Sequence, residues 1–298
     1  MTADASAVAD LINSHELSVD PANSSMGIEG ALEFMAGYID ESQTHLLWID
    51  GEPDFSAIVN LHPDAQRKRY FADIYAVPHV RDLEEITAWA VELAESQNKD
   101  WEIWPGVNSL DDRLQGAWAA MGFVFLRRYY TMRMQVSELK EMPQLDAVEI
   151  HAADLSDATL LHAWYQSHQD SFSRHFGFIP RTFEKWQELA LGSNLVDPDG
   201  VFLAFKNGEV IGFCECTEEY AHDRKGFISL LGVNHRYQGL GIGEALLRRA
   251  VAHYVDKKYE VVELNVDTGN ESGALRLYEK LGFKAESSWI QMHRPANK

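Results

Sequence analysis

The sequence predicts a mixed α/β (α+β) chain built twice on one plan, each half a mixed central sheet flanked by helices. Three observations carry this. Short β-rich runs alternate with stretches of helical period along most of the chain. Two landmarks recur in the same order at nearly the same separation. Asp73 to Val77 followed by Pro78 parallels Ser229 to Val233 followed by Asn234, and Met121-Gly122-Phe123 parallels Leu281-Gly282-Phe283. Ordered self-similarity of this kind marks a duplicated fold. Between the halves, Ser137 to Ala147 is polar, contains Pro143 and has no period, as expected of a linker. The expected division is therefore 1–137, a linker over 138–147, and 148–298, each half long enough for its own core.

In the first half, strands are expected over 45–49, 55–61 and 70–77, and a helix over 83–94. In the second, 148–151 reads as a short strand. Asp154 is placed to cap a helix over 155–168, because a short carboxylate accepts from first-turn amides. Strands over 201–206 and 210–217 flank Asn207-Gly208, a pair suited to a tight hairpin. A strand over 227–233, an amphipathic helix over 244–255 and a strand over 261–266 follow. Ala274, Leu277, Tyr278 and Leu281 fall at i, i+3, i+4 and i+7, one helix face, which Gly282 ends as a left-handed cap.

Composition narrows the function. With 46 acidic against 26 basic residues the net charge is -20, which argues against nucleic acid and anionic membrane surfaces as partners. It is compatible with a cationic small molecule such as an amine, and reads first as a surface that maintains solubility. No apolar run approaches the ~18 residues of a membrane span. The acidic start Met1-Thr2-Ala3-Asp4 lacks the basic and apolar regions of a secretory signal, so the cytoplasm is expected. Cys214 and Cys216, two apart on an expected strand, share a face and are too close for an ordinary disulfide. No second pair completes a zinc site, and no metal is expected. They read as small residues facing core or pocket.

The run His235-Arg-Tyr-Gln-Gly-Leu-Gly-Ile-Gly243 carries the chemistry. It joins a strand to a helix, and its glycines let the backbone approach a ligand closely. Open amides and the partial positive charge of the helix N-terminus suit a pyrophosphate. At the corresponding place the first half has Asp82-Leu-Glu-Glu-Ile-Thr87, without a glycine and with Glu84 and Glu85 set to repel phosphate.

Gln238, Gly241 and Gly243 match the turn pattern Gln/Arg-x-x-Gly-x-Gly/Ala, and Asn270, Leu277, Tyr278, Gly282 and Phe283 match a later Asn…Leu-Tyr-x-x-x-Gly-Phe signature. On these residues, over about 200–290, the chain resembles the GCN5-related N-acetyltransferase (GNAT) superfamily. Two fused repeats with only the second intact resemble its mycothiol synthase branch. The resemblance implies two tandem GNAT-like domains and direct acetyl transfer from acetyl-CoA to a small-molecule amine in a ternary complex. The cysteinyl amine of a mycothiol precursor is one candidate acceptor. It implies that amides of Gln238, Gly239, Leu240, Gly241, Ile242, Gly243 and Glu244 hold the CoA pyrophosphate, with Asn270 also in the acetyl-CoA site. Leu231, Gly232 and Val233 would pair with the pantetheine arm like an added strand. The amide near Val233 would polarise the thioester carbonyl. Tyr278 takes the place of the general acid that protonates the leaving thiolate.

Phe227 stands where the mycothiol synthase branch has a strand glutamate. Glu215 is the first substitute as base, with His222, Asp223 or a water relay as others. The segment 170–180 and the helix holding Trp186 are expected to border the acceptor, through Phe172 and His175 above all. Arg248-Arg249 and Lys257-Lys258 read as a solvated helix face or as partners of the CoA 3′-phosphate. Other acceptors stay open, an antibiotic or a peptide N-terminus, as does a non-catalytic acetyl-CoA sensor. The sequence leaves the oligomeric state undetermined.

Overall fold

The structure, a computed structural model, describes residues 5–21, 25–38, 44–47, 56–80, 82–139, 145, 147–192, 196–270 and 272–294. Residues 48–49 and Phe55 of two expected strands, and 140–144 and 146 of the expected linker, lie outside these. The chain divides into two compact units, Met1–Tyr129 with Ser288–Lys298, and Tyr130–Ser287. Among the described residues no helix is long and apolar enough to cross a membrane.

The first unit runs α1 (Ala5–Val19), α2 (Ile28–Tyr38), β1 (Thr44–Leu47), β2 (Ala57–Asp64), β3 (Arg69–Ala76), α3 (Leu83–Gln97), β4 (Glu102–Asn108), α4 (Asp112–Ala120) and the start of β5 (Val124–Gln135). β1, β2 and β3 are successive antiparallel neighbours, and β3 runs parallel to β4. Helix α3 buries Thr87, Ala90, Val91 and Ala94, the apolar stripe that its period dictates. These pack with Val59, Leu61, Ile74 and Trp118.

The second unit repeats that order behind one extra strand. It runs β6 (Glu149–Ala152), α5 (Ala158–Phe172), α6 (Phe183–Leu191), β7 (Val196–Lys206), β8 (Glu209–Thr217), β9 (Lys225–Val233), α7 (Ile242–Asp256), β10 (Val261–Asp267), α8 (Ala274–Leu281) and β11 (Lys284–His293). Strands β6 to β9 are antiparallel neighbours, and the α7 crossover makes β10 parallel to β9. Helix α7 sets Leu246, Leu247, Ala250, Val251 and Tyr254 against Ile211, Ile228, Val262 and both cysteines, so Cys214 and Cys216 share the core face. Helices α5 and α6 cover the other face, where Trp164 and Trp186 meet Leu203 and Phe213. Asn207 and Gly208 turn the β7–β8 hairpin at φ 52° and 79°. Gly282 closes α8 at φ 102°.

Two expectations are corrected here. The unit boundaries are not 137 and 148, because the last strand of each repeat is divided. Trp289 to Gln291 of β11 pair antiparallel with Asn108 to Gly106 of β4, and Ile290 and Met292 join the first unit's core. Met132 and Met134 of β5 lie in the second unit's core. Asp154 does not cap α5. Its carboxylate accepts from the backbone N and the hydroxyl of Ser156, a local turn, and Asp157 caps the helix by accepting from the Thr159 and Leu160 amides at 2.7 and 3.3 Å.

What opens the site is the parting of β9 and β10. Their pairing runs from Lys225/Val261 to Ile228/Leu264. At that point the β8–β9 register also shifts, Glu215 facing Leu230 and Cys216 facing Ile228, so Ser229 is an extra residue in β9. The Tyr254 hydroxyl accepts from the Thr217 and Phe227 amides at 3.0 and 3.1 Å and so supports this irregular stretch from below.

Candidate active site

Beyond the last β9–β10 pair lies a cleft of about 420 Å³. One wall is β9 from Ser229 to Val233; the other is Asn265 to Asp267 of β10 with Asn270 and, from α8, Tyr278. The glycine turn forms one end, and Phe172 and His175 close it on the α5 side. Of the residues expected to hold acetyl-CoA, Leu231, Gly232, Val233, Gln238, Gly239, Gly241, Ile242, Gly243, Glu244 and Asn270 line this cleft. Leu240 does not; its side chain is exposed.

The turn is built to present backbone. Gly239 and Gly241 sit at φ 78° and 80°, where an L side chain is strained. Gly241 occupies the N-cap of α7 and has no side chain to accept from the first-turn amides, which stay open. A Cβ on Gly243 would lie 3.3 Å from Leu277 Cδ2. Gln238 Nε2 donates to the Val233 carbonyl at 3.1 Å and holds the turn against the end of β9. Behind it, Asn234 accepts from Ser167 Oγ at 2.5 Å and donates its amide to Ile211 O at 2.9 Å, tying β9 to α5 and β8.

Glu244 would oppose a phosphate were it bare. Lys280 Nζ and Arg248 Nη2 bind it at 2.6 and 2.9 Å, and the Lys280 contact above all holds its carboxyl below the usual range. Lys280 itself lines the cleft, a cation that sequence reading passed over. Of the basic pairs only Lys258 is exposed: Arg248 is buried, the Arg249 guanidinium lies 4.3 Å over the Phe202 ring, and Lys257 Nζ donates to the buried Asp197 at 2.7 Å. Among the described residues no cluster of three or more His, Cys, Asp or Glu gathers to hold a metal ion.

The equivalent place in the first unit is differently furnished. A smaller cavity of about 280 Å³ lies at Ala76, Val77 and Pro78, where β3 ends. Arg113 reaches across it, donating to Pro78 O at 2.6 Å and Val80 O at 2.5 Å. The α3 N-terminus that follows carries Glu84 and Glu85 in its first turn.

Tyr278 is 8% exposed, and burial, with the nearby Cys214, pushes its phenol above the ordinary value. Glu215 does not line the cleft. It lies behind the wall, 6% exposed, and accepts from the Ser229 hydroxyl at 2.5 Å; burial pushes its carboxyl up against the pull of that hydrogen bond. Phe227 stands outside the cleft lining, its ring edge-on to Tyr220, and His222 and Asp223 pair with each other in a short turn that is likewise not part of it. Phe172 and His175 are brought together, rings 4.5 Å apart, and burial lowers the His175 pKa against the opposing charge of Asp267. Trp186 is a core residue, edge-on to Trp164 at 4.8 Å, and does not border the cleft. Ser171, Ser229, Asn265 and Asp267 also line the cleft. The parting of β9 and β10 selects the last three and the end of α5 brings Ser171, and no residue pattern announces either.

Comparison with known proteins agrees with this geometry. Residues 161–283 match the Acetyltransferase (GNAT) family model. A mycothiol acetyltransferase of Thermomonospora curvata is 34% identical over 55% of this chain, a stretch that spans about half of that relative, 54% of its length. One of Streptomyces scabiei is 26% identical over 86% of this chain and 80% of its own. The crystal structure of a GCN5-related N-acetyltransferase from Sphaerobacter thermophilus superposes over 99% of this chain and 94% of its own at a TM-score of 0.82 and 21% identity, a likeness of fold. The likeness to the GNAT acetyltransferase family thus rests on residues 161–283, the stretch that holds the glycine turn and the parted strands.

Proposed function

We propose that the second unit transfers an acetyl group from acetyl-CoA directly to the primary amine of a small molecule. The observation that supports this most is the course of the cleft. It runs from the open amides of the α7 N-terminus, along β9 residues that have lost their β10 partners, to the Tyr278 phenol. An extended thioester arm can pair with that unpaired edge while its pyrophosphate rests on the turn. Tyr278 then protonates the departing thiolate. Burial raises its pKa, yet the same dry site raises the proton affinity of the thiolate, so the transfer stays feasible.

For the acceptor, the cleft offers Asp267, Asn265, Ser171 and Ser229 beside Phe172 and His175, a polar set whose carboxylate, Asp267, suits a small cationic amine. The likeness to proteins named mycothiol acetyltransferase favours a cysteinyl amine. The test is release of free CoA thiol from acetyl-CoA with cysteinamide, an aminoglycoside and a short peptide as acceptors. Turnover strongest with cysteinamide is expected. Tight acetyl-CoA binding with no thiol released by any amine would instead make the second unit a sensor.

A further inference from the structure

Among the described residues β9 puts no carboxylate on the cleft wall, and the structure shows how one can act from behind it. Ser229 lines the cleft, and its Oγ is 2.5 Å from Oε1 of Glu215. A hydroxyl has one proton to give. Given to Glu215, it leaves a serine oxygen whose lone pairs accept from an N–H but which cannot donate. The extra residue in β9 is what makes this possible, since the shifted register places Ser229 beside Glu215 rather than in ordinary strand alternation. Among the described residues no cation pairs with Glu215: β7 sets Val201 opposite it, α5 sets His168, its pKa lowered by burial, against Phe213 of the same strand, and the titratable groups beside Glu215 on that strand are the two core cysteines.

We propose that Ser229 and Glu215 form a two-residue proton relay that deprotonates the acceptor amine during acetyl transfer. The proposal rests on the acetyltransferase reading above. As the amine nitrogen bonds to the acyl carbon, its proton passes to Ser229 Oγ while the serine proton passes to Glu215 Oε1. The C–S bond breaks, and the thiolate takes the Tyr278 proton. Amine, thioester, carboxylate and phenol thus become amide, thiol, carboxylic acid and phenolate. The last two are reset by proton exchange with solvent. Ser229 is the catalytic residue of the pair, and Glu215 acts through it as a positioning and proton-accepting residue.

The experiment uses the full chain with acetyl-CoA and cysteinamide, comparing Ser229→Ala, Ser229→Thr, Glu215→Gln and the Ser229→Ala/Glu215→Gln double variant. Each alanine or glutamine variant is expected to lose about 100-fold or more in kcat, the usual weight of a positioned base. The KM for acetyl-CoA should stay within about two-fold, since neither group meets the cofactor arm. Ser229→Thr, which keeps a hydroxyl, should recover most of the loss. The double variant should be no worse than either single, because the two groups act in series. Glu215→Gln should also remove the acidic limb of the kcat/KM profile that protonation of Glu215 produces. Calorimetric binding of acetyl-CoA by each variant shows that it is folded, and Ser229→Ala removes only a hydroxyl should the buried Glu215→Gln change prove disruptive. An active wild type whose single variants keep full kcat, or whose losses simply multiply, overturns the relay and leaves the transferase reading standing. A wild type that releases no thiol overturns both.

Discussion

Tyr278 and His168 show burial acting on two titratable side chains in opposite roles. Tyr278→Phe keeps the ring that packs in the core and removes the one proton the thiolate would receive. Turnover should fall about 100-fold, with acetyl-CoA affinity unchanged by calorimetry. Unaltered turnover would take Tyr278 out of the chemistry. His168, stacked on Phe172 at 5.0 Å, has its pKa lowered to about 4, chiefly by burial, with Arg181 and His175 adding to it. In the unfolded chain it titrates near ~6.5. Between these values the unfolded chain binds the extra proton. The stability from neutral His168 is therefore complete above about 6.5 and is lost as pH falls toward about 4, on the order of 2 kcal/mol. Urea denaturation at pH 7 and 4.5 should show this decline, and His168→Gln should flatten it. Equal slopes for the two proteins would remove His168 from the acid response.

At the scale of the element, the glycine turn and α7 act as one device. Gly241→Ala places a Cβ at φ 80° and 3.3 Å from Leu145 Cδ2, so the turn must shift and the first-turn amides with it. Acetyl-CoA affinity should drop at least ten-fold, and Gly241→Glu, which adds a negative charge, should abolish binding. Glu84→Gly at the start of α3 should leave affinity untouched; a loss there would mean that the first unit takes part in binding. These positions were legible in the sequence because a turn announces itself by residue type and local spacing. So were α3, α7, α8 and the β7–β8 hairpin. The start of α5 was misread because Asp154 and Asp157 are both competent caps, and only the folded chain shows which carboxylate spends itself on Ser156. Arg248 reads as solvated by residue type, and only the fold shows it buried and paired with Glu244 one turn earlier. The Ser229–Glu215 contact was beyond reach. It depends on a one-residue register shift between strands, which leaves no periodic trace in either strand.

For the whole molecule, the duplication was visible because both repeats keep their landmarks in order. The division of their last strands was not, since β11 and β4 are far apart in sequence and nothing local couples them. That division has a stability consequence. Removing 288–298 takes Ile290 and Met292 out of the first unit's core and leaves β4 without its antiparallel neighbour. Two buried side chains of this size represent about 4 kcal/mol or more, a large share of an ordinary domain's margin. A chain cut after Ser287 should show an early thermal transition and rapid proteolysis within 1–129. Wild-type melting of the cut chain would refute the assignment of that segment.

The same arrangement bears on how the protein is made. On the ribosome the amino-terminal unit emerges first, yet the strand that borders its β4 is translated only after the entire carboxyl-terminal unit. The first-born half must wait, with an open sheet edge, for the last-born residues. A nascent chain stalled in between is the species most in need of a chaperone.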